Sequence, residues 1–367
     1  MKEEAKRRIE HCRNTQETAL HLTYCNLKDL SVLAELTHLT TLKLSYNDIE
    51  DVSPLAELSN LTHLYLGSNQ IKDVASLATL SNLNTLSFFN NQVTDIAPLA
   101  TLTQLKSVDF SNNQISNLTA LSSMTQLLKA DLGVNAISDI TPLSSLTKLE
   151  DLDLAVNHIS DIAPLAHVTS LLGLDLSENK IVDIVPLVAL TRLQELNIGK
   201  NQIHDIDALA SLTALKELYI NDNHIKDLLP LSGMFKRNIV VSLLYSHKGK
   251  MIIVEGNPLN PPLVDALKEG HRALLTYYER IELKAAERRA VLSEATEWAV
   301  ENRFDKAVKL LKPLFKEEGN KVVVTSLGAF LAEFNAVKEQ AKSGAITEKE
   351  QKKIFARMRE AWTTLIK

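Results

Sequence analysis

The sequence predicts an α/β solenoid, with a parallel sheet on its concave face and 3₁₀ turns on its convex face, followed by an all-α four-helix bundle. Three observations predict it. Asparagines recur every 22 residues from Asn47 to Asn223, a short apolar alternation stands just ahead of each, and helical spacing of apolar residues replaces this period after about residue 283.

The first element is a cap. In EEAKRRIEHCRN, Ala5, Ile9 and Cys12 fall on one helical face, so residues 1–16 form an amphipathic helix able to cover the open end of a stack of coils.

The repeats fill residues 17–282. Asn47, Asn69, Asn91, Asn113, Asn135, Asn157, Asn179, Asn201 and Asn223 step by 22 without insertion, and Cys25 stands one step earlier. In DLDLAVNHISDIAPLA, Leu152, Asp153 and Leu154 alternate as a short strand with leucines inward. Asn157 follows, and its amide can satisfy backbone groups of the turn, coil after coil; a thiol partly serves at Cys25. Asp161 then precedes a short turn containing Pro164, where a carboxylate accepts free N–H groups. The same aspartate recurs at Asp51, Asp73, Asp95, Asp139, Asp183, Asp205 and Asp227, with Asn117 as substitute, so Asp161 is structural. The remaining residues of each coil have room for a 3₁₀ turn but not for a long helix.

The frame L-x-x-L-x-L-x-x-N/C-x-L resembles the leucine-rich repeat, in the 22-residue variety of internalins and of the leucine-rich regulatory subunits of protein phosphatase 1. The resemblance implies a curved protein-binding surface of about eleven parallel strands.

The register slips once: Asn257 follows Asn223 after 34 residues, with an insertion near Lys236 to Lys250. Ile252 and Val254 supply a last strand, Asn257 a last ladder position, and Pro261 with Pro262 opens a helix. This end resembles the terminal coil of prokaryotic Roco proteins, but no G-x-x-x-x-G-K-[ST] occurs, so GTPase activity is not carried over.

Residues 283–367 form the bundle. Val291, Ala295 and Trp298 make one apolar stripe; Phe304, Val308, Leu311 and Phe315 a second; Val324, Leu327, Leu331 and Phe334 a third; Phe355, Met358, Trp362 and Leu365 a fourth. Gly319 and Gly344 end the second and third helices, and Thr347 with Glu350 makes a capping box for the fourth. Ala307 and Leu311, then Gly344, Ile346, Thr347 and Glu350, then Ile354, Ala361, Leu365 and Ile366 are similar to the effector-associated domain of type eleven. LAEFN in the third helix departs from that family's Arg-bearing pattern. The resemblance implies an adaptor that pairs a sensor with an effector protein, or with a like domain, in a bacterial defence or conflict system.

Two surfaces emerge. The residue between the strand leucines reads His21, Lys43, Tyr65, Ser87, Asp109, Asp131, Asp153, Asp175, Asn197 and Tyr219, so four aspartates form a stripe. Asp151, Glu178, Glu195 and Glu217 extend it, and Tyr24, Tyr46, His63, Tyr65 and Phe89 gather toward the first coils. Like charges on neighbouring strands repel, so the stripe is expected to add nothing to folding and to serve a protein ligand. The bundle carries 17 Lys and Arg against 12 Asp and Glu, a net of +5, which leaves −10 for residues 1–282 of a chain whose net is −5. Lys306, Lys309, Lys312 and Lys316 share one helix face, and Lys349, Lys352, Lys353, Arg357 and Arg359 crowd the last helix, a candidate adaptor surface.

Several classes are excluded. Cys12 and Cys25 complete no zinc pattern, and no cofactor or metal is expected. No apolar run reaches membrane-spanning length, and the basic residues are not interleaved with exposed aromatics as a nucleic-acid surface requires. The register, unbroken before residue 235, leaves no pocket there for catalysis, and Ser242, Ser246 and His247 of the insertion form no triad. The chain is therefore expected to be non-enzymatic, and its two cysteines and the absence of a signal-like start point to the cytoplasm. A regulatory subunit or scaffold that holds a phosphatase or another enzyme on the concave face is the alternative.

Overall fold

A computed structural model of the chain describes residues 2–237, 239–242, 251–301, 303–317 and 321–366, with side chains described except at 315–317, 321–325 and 363–366. Lys316, Phe315, Val324, Leu365, Ile366, Gly319, Ser246 and His247 lie outside the described residues or side chains. The described chain divides into two compact units, Met1–Leu275 and Thr276–Lys367.

The first unit opens with helix α1 (Glu3–Thr15), which buries Ala5, Ile9 and Cys12. The three-residue strands β1 (Ala19–His21), β2 (Thr41–Lys43), β3 (His63–Tyr65), β4 (Thr85–Ser87), β5 (Ser107–Asp109), β6 (Lys129–Asp131), β7 (Asp151–Asp153), β8 (Gly173–Asp175), β9 (Glu195–Asn197) and β10 (Glu217–Tyr219) then follow. Between them lie 3₁₀ turns of three to five residues, from Ser31–Leu33 to Leu229–Leu231. Leu149, Leu152, Leu154, Ile159, Ile162 and Leu165 of one coil are all buried. Phe88 and Phe110 replace leucine at one core position of successive coils and stack with ring centroids 4.1 Å apart.

The ladder forms as the period predicts. Asn157 Oδ1 accepts the Ile137 N–H at 2.9 Å, while Nδ2 donates to the carbonyls of Leu132 and Leu154, each at 3.1 Å. Asn257 makes the same bonds to Ile225, Ile220 and Val254. One amide thus ties each coil to its predecessor, which leaves few turn groups unsatisfied. Cys25 has no earlier coil to serve and directs its thiol at the Thr23 carbonyl.

The convex aspartates act one residue earlier than an ordinary N-cap. Asp161 Oδ1 accepts the Ala163 N–H at 2.8 Å, two residues on, an Asx turn that feeds the chain into the 3₁₀ turn. Asp29, which the sequence reading passed over, makes the same bond to Ser31.

The sheet departs from expectation at its end. It has twelve strands, not about eleven, in the order β1 to β10, then β12 (Met251–Ile253), then β11 (Val240–Ser242). After the short helix α2 (Ser232–Phe235), the insertion supplies an outermost strand, and the terminal coil enters between it and β10. Short apolar runs give no sign of which becomes the edge, so IIV was legible as a strand and NIVVS was not.

Helix α3 (Pro261–Glu269) follows and ends at Gly270. The second unit comprises nearly all of α4 (His271–Val300), with α5 (Phe304–Glu317), α6 (Lys321–Lys342) and α7 (Glu348–Ile366); the composition change near 283 falls inside α4. The core joins Ala295 and Ala299 to Phe304, Leu311, Leu327, Phe334, Phe355 and Trp362. Phe304 sits centrally, its centroid 5.1 Å from both Phe330 and Phe334 and 5.9 Å from Trp362. The capping box forms: the Thr347 N–H and hydroxyl donate to Glu350 Oε2 at 2.8 and 2.7 Å, and Thr347 Oγ1 accepts the Glu350 N–H at 3.3 Å. These bonds hold the Glu350 carboxyl below its usual range.

Candidate functional site

Strand periodicity alone positions the concave face. The middle residue of each strand from β1 to β10 is buried, so its first and third residues point away from the core. Register pairs Asp109 with Asp131, Asp131 with Asp153, and Asp153 with Asp175, so the predicted stripe is continuous. Asp151, Glu195 and Glu217 stand in the parallel row two residues earlier, interrupted by Gly173. With Asp153, Asp175 and Tyr219 they line a depression of about 510 Å³.

The stripe is not idle in folding. Asp131 Oδ1 accepts the Gly133 N–H at 3.1 Å, Asp153 that of Ala155 at 2.8 Å, and Asp175 that of Ser177 at 2.8 Å. Asp109 is bonded to Ser111 likewise, and Asn197 accepts from Gly199. Each of these side chains closes a turn at its strand end. The expectation that these aspartates add nothing to folding is therefore corrected: a local bond had been overlooked behind the repulsion. The signal was present, since the turn needs only an Asx two residues before a free N–H.

The second carboxylate oxygens are used unequally. Ser87 donates to Asp109 Oδ2 at 3.2 Å and Asn197 to Asp175 Oδ2 at 2.8 Å, whereas among the described residues no donor reaches Asp153 Oδ2. Burial, together with the charges of Asp175, Asp131 and Asp151, pushes the Asp153 carboxyl up to about 6. Burial and Asp109 raise Asp131 as well. Exposed Asp151 is relieved by Lys129 at 3.5 Å, and the Tyr219 hydroxyl donates to Glu217 at 3.2 Å.

The first coils carry a different chemistry. Tyr24 and Tyr46 stack at 4.5 Å, and Tyr46 meets Phe89 edge-on at 5.9 Å. The Lys43 ammonium lies 5.5 Å from the Tyr65 ring, beside His63 in the same strand. The predicted aromatic residues therefore belong to the first four coils, and the acidic ones to the fifth through the tenth.

On the bundle, Lys306, Lys309, Lys349, Lys353 and Arg357 are exposed and Lys312 is half-buried, its ammonium near Gly328. Lys352 pairs with Glu348 at 2.6 Å. Among the described residues no group of three or more His, Cys, Asp or Glu is placed to hold a metal ion, and no helix is long and apolar enough to cross a membrane. Cys12 and Cys25 are free and buried.

An open parallel solenoid with a two-chemistry concave face defines a repeat protein built for binding. A leucine-rich repeat family model matches residues 37–79, 81–123, 125–167, 169–211 and 191–233, just over half of the chain, which belongs to that family. An internalin of Listeria monocytogenes is 35% identical over 66% of this chain and 75% of its own, with a TM-score of 0.56. A leucine-rich repeat protein of Leptospira interrogans is 20% identical over 65% of this chain and 60% of its own, with a TM-score of 0.58. The Arabidopsis receptor kinase HAESA, solved with the peptide hormone IDA and the co-receptor SERK1, is 20% identical over 70% of this chain and 45% of its own, with a TM-score of 0.55. The last two likenesses are of fold alone. No curated protein matches. Leucine-rich repeat proteins mediate protein–protein interaction, and no catalytic family is indicated.

Proposed function

We propose that the chain is a non-enzymatic sensor or adaptor. Its concave face, through Lys43, His63, Tyr65, Phe89, the aspartate stripe, Asp151, Glu195, Glu217 and Tyr219, binds a protein trigger. The basic faces of α5 and α7 couple to an effector protein or a like domain in a bacterial defence system. One observation carries the first half: aromatic and acidic side chains of successive coils line a sheet face that no described element of the solenoid covers. The second half rests on the net charge of +5 in residues 283–367 and on the capped, exposed basic helix α7. Free buried thiols support a reducing compartment such as the cytoplasm.

The test places a photo-crosslinking residue at Tyr65 or, separately, at Lys309 of the full chain in its host cells. Two different protein adducts are expected. An enzyme trapped at Tyr65 with nothing at Lys309 supports a scaffold that holds an enzyme on the concave face and overturns the adaptor role.

A further inference from the structure

The first four coils differ in charge from the rest of the sheet face. Neither their outward strand residues nor the two residues ahead of each ladder position include Asp or Glu, whereas from the fifth coil to the tenth, Asp109 to Asp222, each coil carries a carboxylate at one of these positions. His21, Lys43 and His63 stand there instead, with His21 in register beside Lys43. The Lys43 ammonium lies 5.5 Å from the Tyr65 ring, and among the described residues no carboxylate pairs with it. His63 Nδ1 is taken up by the Thr62 hydroxyl at 2.8 Å, which leaves Nε2 for a group from outside. The carboxylates of the adjoining cap are engaged, Glu4 with Arg7 and Arg8 at 2.8 and 3.0 Å and Glu17 with His11 at 3.2 Å.

Aromatic rings occupy the same coils. Tyr24 and Tyr46 remain 59% and 42% exposed although they stack on each other, and Phe89 meets Tyr46 from the far side. Phe89 reaches it by lying over Gly67, where an added Cβ would stand 2.1 Å from its ring, so the coil between gives up its side chain to let the rings meet. Rings left open to water beside a cation with no counter-charge mark a contact surface. Charge complementarity fixes what covers it: Lys43 and the imidazoles call for carboxylates, and the rings call for another ring. The net charge of −10 on residues 1–282 repels a long polyanion such as nucleic acid, which favours a short run of acidic side chains. We infer that the first four coils dock an acidic segment of a partner protein in which an aromatic residue stands next to Asp or Glu. This rests on the concave-face reading and goes beyond it by naming what the partner presents there.

The experiment is isothermal titration calorimetry of the full chain with an unlabelled peptide of six glutamates around two tryptophans. Binding is expected, weakened about tenfold when glutamine replaces the glutamates or serine the tryptophans. Lys43→Glu should weaken it about tenfold, and so should Tyr24→Ser with Tyr46→Ser. The backbone accepts serine at that place: φ is 58° at Tyr24, 59° at Tyr46 and 54° at Ser68, which holds the same position in the next coil. The paired variant should therefore melt as the parent does. No binding of the glutamate peptide, equal binding of the glutamine peptide, or unchanged affinity in either variant overturns the inference. An oligonucleotide of eight thymidines that binds as tightly assigns the patch to nucleic acid and overturns it too. Self-association in sedimentation that the paired tyrosine change abolishes overturns the separate partner in favour of a second copy. The crosslinker at Tyr65 judges the concave-face reading apart from this one. A protein trapped there without binding of the glutamate peptide keeps that reading and removes the acidic partner, whereas no adduct and no peptide binding removes both.

Discussion

The convex and concave faces use the same side chain for the same local bond and arrive at opposite electrostatics. Asp139 and Asp51 on the convex side accept N–H groups two residues on, at 2.8 Å, and their carboxyls lie below the ordinary range because the Thr141 hydroxyl and N–H at Asp139, and the Ser53 N–H and hydroxyl at Asp51, favour the charged form in open water. Asp153 makes the same 2.8 Å bond on the concave side, yet burial among like charges lifts it to about 6. Asp139 and Asp51 therefore stabilise their coils as anions. Asp153 stabilises its turn with one oxygen and opposes folding with its charge, so that charge calls for an explanation outside the fold.

The ladder supplies the yardstick for both rows and the largest expected effect. Asn157→Ala would orphan a buried N–H at Ile137 and take one hydrogen bond from each of the carbonyls of Leu132 and Leu154, which keep those donated by Asn135 and Asn179. At about 1–3 kcal/mol for the buried orphan the loss is about 2 kcal/mol, which lowers the melting temperature by roughly 4–8 °C for a unit of this size. Calorimetry showing no greater loss than for a convex aspartate would break the division between buried and exposed turn bonds.

How legible each row was depends on what a period encodes. Identity at a fixed step exposed the ladder, the convex aspartates and the stripe, because one residue per coil repeats one role; the α1 cap face showed instead in the helical spacing of Ala5, Ile9 and Cys12. The α7 capping box was legible from Thr347 and Glu350 alone. The sign of φ is not written in residue identity where Tyr, Val, Glu and Lys occupy a left-handed position, although Asn90, Asn112 and Gly256 at that step were the available hint. The edge strand β11 escaped for another reason. A three-residue strand outside the register has no period to betray it, and its place beyond β12 is decided by a parallel pairing that only tertiary structure supplies.

The convex row predicts a smaller loss. Asp139→Ala removes the bond from the Thr141 N–H, an effect of about 1 kcal/mol and roughly 2–4 °C in melting temperature. Its pH dependence follows from a folded carboxyl held below the unfolded value. The anion's contribution is full above the unfolded pKa and is lost as pH falls through the lower folded value. Parent and variant melting curves should therefore differ at pH 7 and converge toward pH 3. A gap that persists undiminished in acid would mean that this aspartate acts by something other than its charged hydrogen bond.

The concave row predicts the reverse sign. Asp153→Asn keeps an acceptor for the Ala155 N–H, as Asn197 already does for Gly199 at 3.1 Å in the same row, and removes one charge from between Asp131 and Asp175. With the folded carboxyl at about 6 and the unfolded one at about 3.9, the folded state holds the proton more tightly. Parental stability should then fall as pH rises from about 4 to about 6 and stay lower above. The variant, lacking that titration, should melt a few degrees above the parent at pH 7.5 and level with it at pH 4. A variant less stable than the parent at pH 7.5 would show that the carboxylate contributes to the fold beyond the turn bond, and would remove the reason for assigning its charge to a partner. A stabilised variant that loses affinity for an arginine-bearing peptide would separate the two contributions within one side chain: one oxygen closes a coil, while the charge is met by no cation among the described residues.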